Sequence, residues 1–256
     1  MDRTAALRTW RIILLVTFIL VPVANYLPIV LDVSQDRFTN GTDTRVDAAG
    51  YAFAIWGVIF TGMLLFAALQ FRAVKESDHL LRALRYLCLA GWASIAFVPI
   101  SFGANYFLGA ADLLWHLAAL VPAYLALRAH VAETGAPRNS WTYFAPSLYL
   151  GWICAATVIA LALALQQAGL RVSDAVAKDL AAALVVVLAL LGAFLGLRRD
   201  AFYALTVAWA LGGIAAEQQD SRLILWTCAV GILALLGVVL KDLVGRRPFF
   251  YAWADR

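Results

Sequence analysis

The composition of this 256-residue chain excludes an ordinary water-soluble domain. Hydrophobic residues make up 64% of the chain and charged residues 14%, whereas soluble domains hold roughly 45–50% apolar and about 25% charged residues. The surplus needs the bilayer as its apolar solvent. The net charge of +4 does not indicate nucleic-acid binding, because the basic residues lie in short runs between apolar stretches and form no single basic patch.

Eight apolar segments follow one another along the chain, each close to the ~20 residues that a membrane-spanning helix needs. They lack the period-two alternation of membrane β-strands and are rich in Ala and Leu. The sequence therefore predicts an all-α, polytopic membrane helix bundle of about eight transmembrane helices. The predicted segments are 10–31, 50–71, 84–105, 110–129, 141–165, 177–197, 201–217 and 222–241.

The first segment is flanked by basic residues, as the apolar part of a signal peptide would be. Arg3, Arg8 and Arg11 precede or open it. Its apolar run is longer than a usual signal-peptide core, and no small-residue cleavage site precedes Tyr26. We therefore expect it to be a retained helix.

The distribution of Lys and Arg gives an independent test of the segment count. When the N-terminus is placed in the cytoplasm, 15 of the 20 basic residues fall in cytoplasmic segments and five in outer segments. Membrane proteins concentrate basic residues in cytoplasmic loops. The bias predicts that both termini face the cytoplasm, and it suits a bacterial inner (plasma) membrane.

The longest polar connection, residues 32–49, lies between the first two segments. It carries four aspartates and an Asn40-Gly41 turn signal. An outer loop of this length can fold over the mouth of the bundle as a lid. It can equally be a solvated connector, and the sequence leaves both readings open.

Charged side chains inside the predicted spans are scarce, and the clearest pair is Asp112 and His116 in the fourth. Their i, i+4 spacing puts both on one helix face. Polar groups at membrane depth are functional candidates, and His116 could ligate a metalloporphyrin or carry a proton. A hydrogen bond to a neighbouring helix is the commoner role for such a histidine. Asn105, at an outer span end, is another candidate polar contact.

The sequence lacks the motifs of conventional enzymes and metal sites. It has no P-loop, HExxH, GxSxG or glycine-rich nucleotide motif. Its three cysteines lie in separate segments without a CxxC pair, and its lysines lie at span ends, where they cannot form a retinal Schiff base. We predict no catalytic or metal-ligating residues, and an enzymatic function stays open without being favoured.

Several of the nine tryptophans lie too deep to belong to an interfacial belt. Trp92, Trp152 and Trp209 fall near the middle of their segments, whereas belt tryptophans lie at the ends. Deep indoles can line a pocket for a flat aromatic ligand, because they offer stacking faces and an N–H donor. Packing between helices is the alternative role.

Three short aromatic patterns carry a family resemblance. The second segment begins Gly50-Tyr-Ala-Phe-Ala-Ile-Trp-Gly-Val-Ile-Phe60, the third contains Trp92-Ala-Ser, and the fifth contains Tyr149-Leu-Gly-Trp152. These patterns resemble the corresponding helices of the TspO/MBR family, the tryptophan-rich sensory or translocator proteins. The long loop after the first segment also matches, since that loop caps the ligand pocket in the family.

The sequence departs from the family pattern at several positions. Phe60 stands where the family has Tyr, Leu89 and about Ala160 where it has Asn, and Leu148 where it has Pro. Family members have five helices, so the resemblance covers roughly residues 10–167. It implies a TspO-like five-helix bundle over 1–167, followed by three additional transmembrane helices and a short cytoplasmic tail over 168–256.

The resemblance implies a lidded pocket that binds tetrapyrroles or other flat hydrophobic ligands. A bound tetrapyrrole, of porphyrin or haem type, is the one cofactor it suggests. Positions matched to the family give six candidates, and the polar residues of the predicted spans add Asn105 and His116. The candidate ligand-binding residues are Phe53, Trp56, Phe60, Trp92, Asn105, His116, Tyr149 and Trp152.

Three functions follow as hypotheses. The leading one is binding of a flat hydrophobic ligand, a tetrapyrrole by resemblance, for sensing, transport or turnover. The second is transport of a small hydrophobic or amphipathic solute, and the third is a structural or assembly subunit of a larger membrane complex. The expected partners are the lipid bilayer, a hydrophobic small molecule, and a homodimer or membrane-complex partner, with no nucleic acid.

Overall fold

The computed structural model describes residues 2–30, 44–72, 75–102, 105–135 and 143–245. In these ranges the chain forms eight α-helices and one short 3-10 helix, and no strand. The prediction of an all-α bundle is confirmed. The helices are α1 (Arg3–Val30), the 3-10 helix (Gly50–Ala54), α2 (Ile55–Leu69), α3 (Asp78–Phe102), α4 (Tyr106–Thr134), α5 (Phe144–Gln167), α6 (Asp174–Leu197), α7 (Ala201–Glu217) and α8 (Arg222–Val244).

Seven helical stretches are long and apolar enough to cross a bilayer, with the 3-10 helix and α2 counted together as one stretch, Gly50–Leu69. The exception is α7, which has 17 residues and lies at the short end of the range for a spanning helix. The predicted segments agree closely with the helices. The largest differences are the starts of α1 and α3, which begin at Arg3 and Asp78 because their first turns are polar and escape a scan for apolar residues.

The helices alternate in direction, so the bundle has two ends. At the end that carries Arg3, here called the N-terminal end, Arg3 donates to the Glu76 carbonyl at 2.8 Å and Lys75 donates to the Thr134 carbonyl at 2.6 Å. The opposite end, here called the loop end, contains the starts of the 3-10 helix and of α6. Polar contacts at the N-terminal end thus join the starts or ends of α1, α3 and α4.

The bundle is built around α5 and α7. Helix α5 packs against α4, α2 and α7, while α7 packs against α6, α8 and the 3-10 helix. Close approach of α5 and α7 depends on Gly151, where a Cβ would lie 3.0 Å from the Thr206 side chain and 3.3 Å from the Tyr203 carbonyl. Small residues commonly let membrane helices pack at such distances. The proposed division at residues 167 and 168 falls between α5 and α6, and it stays a prediction.

Candidate functional site

Six of the eight predicted ligand-binding residues lie together where the 3-10 helix, α2, α4 and α5 meet. We call this group the aromatic cluster. Because α2 follows the 3-10 helix directly, Phe53, Trp56 and Phe60 are carried into the same space by one continuous stretch of chain. Helices α4 and α5 supply the opposite wall. The members of the aromatic cluster are Phe53, Trp56, Phe60, His116, Tyr149 and Trp152.

The rings of the cluster pack mainly edge to face. Phe53 and Trp152 lie 5.6 Å apart between ring centroids, and Trp56 lies 5.8 Å from Tyr149, both pairs T-shaped. Trp56 stacks on Phe60 at 5.1 Å. Edge-to-face and offset-stacked pairs are the preferred arrangements of aromatic side chains. Trp56 is the centre of the cluster, since it contacts rings of both α2 and α5.

The cluster runs from a buried side to an exposed side. Tyr149 and Trp152 are fully buried, and the Tyr149 hydroxyl donates to the Ala90 carbonyl of α3 at 3.1 Å. Phe53 is 37% exposed, and Trp56 is partly buried. A ligand can therefore reach the rings of Phe53 and Trp56 without unfolding the wall behind them.

His116 and Asp112 form the polar part of the site. His116 Nδ1 lies 3.0 Å from the Asp112 carbonyl oxygen and 3.1 Å from Asp112 Oδ2. The hydrogen-bond geometry favours the carbonyl oxygen. Because a carbonyl only accepts, Nδ1 must carry the hydrogen, and Nε2 of the neutral ring is then an acceptor. The ring of His116 also contacts Tyr149, at 5.8 Å between centroids.

Three buried side chains here have polar atoms without a hydrogen-bond partner among the described residues. The unpaired atoms are the two carboxylate oxygens of Asp112, Nε2 of His116 and the indole nitrogen of Trp152. A buried polar atom that loses its hydrogen bonds to water typically costs about 1–3 kcal/mol. Unpaired donors and acceptors at an accessible aromatic wall are what a ligand with polar groups would satisfy.

The described residues contain no group of three or more His, Cys, Asp or Glu side chains that could hold a metal ion. His116 could supply a single nitrogen to a metal already held by a porphyrin, because its buried Nε2 has no hydrogen-bond partner among the described residues. The chemistry of the donors therefore fits a metalloporphyrin better than a free ion.

Two predicted site residues lie outside the aromatic cluster. Trp92 is 40% exposed, and its indole nitrogen donates to Thr17 Oγ1 at 3.2 Å, which links α3 to α1. Asn105 caps the N-terminus of α4, where its side-chain oxygen accepts from the Leu108 backbone N–H at 3.1 Å. Each thus has a structural partner of its own, and a ligand role for either stays a prediction.

Sequence reasoning missed a wall residue from α1. Tyr26 packs edge to face on Phe60 at 6.2 Å, and its hydroxyl would lie 3.6 Å from a Cβ at Gly57. The nearby Asn25 side chain donates to the Ser94 carbonyl at 3.3 Å, which ties α1 to α3. Tyr26 looks in the sequence like an ordinary aromatic residue at a span end, so only the packing of α1 on α2 reveals it.

Residues 44–54, here called the strap, hold the exposed side of the cluster in place. Arg45 binds Asp174 of α6 at 2.6 Å and Asp220, before α8, at 2.9 Å. The hydrogen bond to Asp174 is the largest cause of a raised pKa for the Arg45 guanidinium, which therefore stays charged. Gln218 donates to the Thr44 carbonyl at 3.1 Å. The first loop was predicted as a lid or a connector; residues 31–43 lie outside the described part, and the strap itself packs on the bundle.

The centre of the strap rests on α7. The Ala49 backbone N–H donates to the Gly213 carbonyl at 3.0 Å, and the Trp209 indole N–H donates to the Ala52 carbonyl at 2.9 Å. At Gly213 a Cβ would meet the Ala52 Cβ at 2.6 Å. Glycine is therefore required for this approach. The deep Trp209 noted in the sequence is thus a support for the 3-10 helix that carries Phe53.

A second buried polar group lies at the N-terminal end. Asp200 caps α7 by accepting from the Tyr203 backbone N–H at 3.0 Å, and it accepts from the Ser147 hydroxyl at 2.9 Å. Tyr124 hydrogen-bonds Asp200 and accepts from Arg128 at 2.9 Å. Burial is the largest cause of a raised pKa for Asp200. We call this group the Asp200 network.

Comparison with known proteins gives a match to a protein family. A family model described as TSPO-like protein matches residues 11–241, which includes α6, α7 and most of α8. The match therefore continues across the predicted boundary at 167 and 168. Neither the curated proteins nor the solved structures contain a match to this chain.

Proposed function

This integral membrane protein belongs to the TSPO-like family, and from that premise we propose that it binds a flat hydrophobic ligand of the tetrapyrrole class against the aromatic cluster. One observation carries the proposal. An accessible aromatic surface, formed by Phe53 and Trp56, leads to buried side chains whose polar atoms lack partners. Ligand sites in proteins combine these features: a mostly apolar wall and a few oriented polar groups.

The distances between the rings suggest where the ligand lies. A flat molecule sandwiched between two rings needs about 7 Å, twice a contact distance of about 3.5 Å. Trp56 and Phe60 are 5.1 Å apart, so this pair is closed to insertion. The ligand would instead lie over the exposed faces of Phe53 and Trp56, with one edge directed towards Trp152 and His116.

The polar atoms would then orient the ligand. The Trp152 indole N–H can donate to an acceptor on the ligand, and Nε2 of His116 can accept from it. Because His116 would meet the edge of a ligand placed in this way, ligation of a porphyrin-bound metal by Nε2 would need the ring to lie against His116 instead. Binding is the step that sensing, transport and turnover share, so an experiment on binding addresses all three.

The distribution of charge supports a particular placement in the membrane. With both termini in the cytoplasm of a bacterial cell, the loop end would face outward, and the ligand would enter from that side or from the outer leaflet. Labelling of single cysteines at Arg45 and Lys241 with a membrane-impermeant maleimide in intact cells tests this. Labelling at position 241 rather than 45 would reverse the orientation.

Titration of the detergent-purified protein with protoporphyrin IX, followed by porphyrin absorbance and emission, tests the proposed ligand class. We expect saturable binding that Trp56→Leu and Trp152→Leu each weaken about tenfold, since an aromatic contact of this kind contributes of order 1 kcal/mol beyond the loss of buried area. Trp226→Leu is the matched control, because Trp226 is 69% exposed on α8, away from the cluster.

Two results would contradict the proposal. One is the absence of saturable binding in the wild type. The other is equal weakening by Trp56→Leu, Trp152→Leu and Trp226→Leu, which would indicate that the porphyrin only enters the detergent micelle or coats the apolar surface.

A further inference from the structure

We propose that Asp112 makes this site selective for the charge of its ligand. The site takes a flat aromatic ligand that presents an N–H donor or a positive charge to the Asp112 carboxylate, and it rejects a ligand that presents a carboxylate there. This inference rests on the proposed function, since it concerns the same site and adds the chemical class of the group that enters deepest.

The carboxylate of Asp112 is buried and accepts no hydrogen bond, although His116 Nδ1 lies 3.1 Å from Oδ2. The residue is 4% exposed, and neither carboxylate oxygen accepts a hydrogen bond from any described residue. No Lys or Arg in the described ranges forms an ion pair with it, and its nearest basic group is His116. A carboxylate without water or a partner is costly, and a donor that reaches it is correspondingly favoured.

Two donors near Asp112 already donate to other acceptors. His116 Nδ1 lies 3.1 Å from Oδ2 but donates to the Asp112 carbonyl oxygen. Tyr149 is close enough to Asp112 for an electrostatic interaction, yet its hydroxyl donates to the Ala90 carbonyl. Among the described residues only His116 lies within ion-pairing distance of this carboxylate, so its hydrogen bonds are left to a donor on a bound molecule.

The position of Asp112 connects it with the aromatic cluster. Asp112 lies one helical turn before His116 on the same face of α4, and the His116 ring contacts Tyr149, which contacts Trp56. A ligand that lies over Trp56 and extends towards His116 approaches Asp112 next. For a porphyrin, the two carboxylates would then remain at the exposed edge beside Phe53, away from Asp112.

Three flat tricyclic probes of one shape test the selectivity. They are 9-aminoacridine, which is cationic at neutral pH, acridine, which is neutral, and acridine-9-carboxylate, which is anionic. In a non-ionic detergent, we expect the wild type to bind 9-aminoacridine at least about tenfold more tightly than acridine-9-carboxylate, the size expected of one charge-assisted hydrogen bond. Acridine should fall between them and compete with protoporphyrin IX.

The isosteric variant Asp112→Asn identifies the group responsible. We expect it to bring the ratio between the cationic and anionic probes close to one, while the affinity for acridine changes less than about twofold. Asp242→Asn is the matched control, since Asp242 is also a buried aspartate in a helix but belongs to α8. It should keep the wild-type ratio.

The outcomes separate this inference from the proposed function. If acridine competes with protoporphyrin but the wild type binds all three probes equally, the charge selectivity is wrong and the binding site remains. The same conclusion follows if Asp112→Asn keeps the wild-type ratio. If neither acridine nor protoporphyrin binds, both proposals fail. Should Asp112→Asn fold poorly, the wild-type ratio alone still decides against the inference when it is near one.

Discussion

Asp112 and Asp200 are both buried aspartates next to aromatic side chains, yet they differ in the hydrogen bonds that their carboxylates accept. Asp200 accepts from the Tyr203 backbone, from Ser147 and from Tyr124. Asp112 has no donor among the described residues for either carboxylate oxygen. Every buried polar group must find partners or cost free energy. The Asp200 network therefore joins α4, α5 and α7 through satisfied hydrogen bonds, whereas the carboxylate of Asp112 accepts none, and we propose that a ligand supplies the donor.

The largest effect on stability is expected when the Asp200 network is disrupted. Asp200→Ala removes the cap of α7 and leaves the hydroxyls of Ser147 and Tyr124 without their acceptor. The loss of a helix cap and of buried hydrogen bonds should lower the free energy of unfolding by about 2–4 kcal/mol. Thermal unfolding of the purified protein measures this. Asp200→Asn keeps an acceptor and a good capping residue, so a loss as large as that of Asp200→Ala would contradict the account.

The next effect concerns the contact between the strap and α7. Gly213→Ala places a Cβ 2.6 Å from the Ala52 Cβ, so the 3-10 helix that carries Phe53 must shift. We expect overpacking to cost about 1–3 kcal/mol and to raise the dissociation constant for protoporphyrin several-fold. Gly212→Ala is the matched control, because a Cβ there meets no atom within 4 Å. Equal binding by the two variants would show that the strap does not position the site.

Loss of the carboxylate at Asp112 should change stability in the opposite direction, raising the free energy of unfolding. Asp112→Asn removes a buried carboxylate that accepts no hydrogen bond from the described residues, so the ligand-free protein should become more stable by about 1 kcal/mol. A rise in the unfolding midpoint without ligand, together with a smaller gain on adding 9-aminoacridine than in the wild type, would agree with this. A fall in the midpoint would mean that Asp112 already has a partner in the folded protein.

The pH dependence of stability should follow Asp200. Burial raises the pKa of Asp200 above its ordinary value, so between these two values the folded protein binds more protons than the unfolded one. Stability then falls as the pH rises from about 4 through the pKa of the folded state. Unfolding midpoints at a series of pH values should show this fall in the wild type and a weaker one in Asp200→Asn. Identical profiles would assign the fall to another group.

The smallest effect is expected at the ion pairs of the strap. Arg45→Gln removes the contacts with Asp174 and Asp220, whose side chains are both 57% exposed. Exposed ion pairs contribute about 0–1 kcal/mol and are screened by salt. We therefore expect the rate of protoporphyrin release to rise by no more than about threefold, and the difference from the wild type to shrink in high salt. A larger, salt-independent change would indicate a role beyond charge.

The fold could be predicted from the sequence because a bilayer imposes a simple rule. Apolar runs of the required length appear in the chain with basic residues between them, and the predicted segments agree with the helices within a few residues at most ends. The polar first turns of α1 and α3 were missed, since they carry charges that a scan for apolar residues rejects. The length of α7 was predicted, but not its central place between α5 and α8.

The candidate site could be predicted only in part. Aromatic patterns on α2 and α5 pointed to Phe53, Trp56 and Trp152, which do meet. The rotation of α3 could not be read from the sequence, so Trp92 was grouped with them although it faces Thr17. Tyr26 was missed because its contact depends on how α1 packs against α2. Pairing across helices, and hence the contrast between Asp112 and Asp200, exists only in three dimensions.

The most direct test of the account asks whether a ligand supplies the partner that Trp152 lacks. In protein labelled with ¹⁵N at the indole nitrogens, the Trp152 signal can be identified by its loss in Trp152→Leu, and the Trp226 signal by its loss in Trp226→Leu. Addition of protoporphyrin IX should shift the Trp152 signal and leave the Trp226 signal in place. An unchanged Trp152 signal at saturating porphyrin, or equal shifts of both signals, would contradict a binding site at the aromatic cluster.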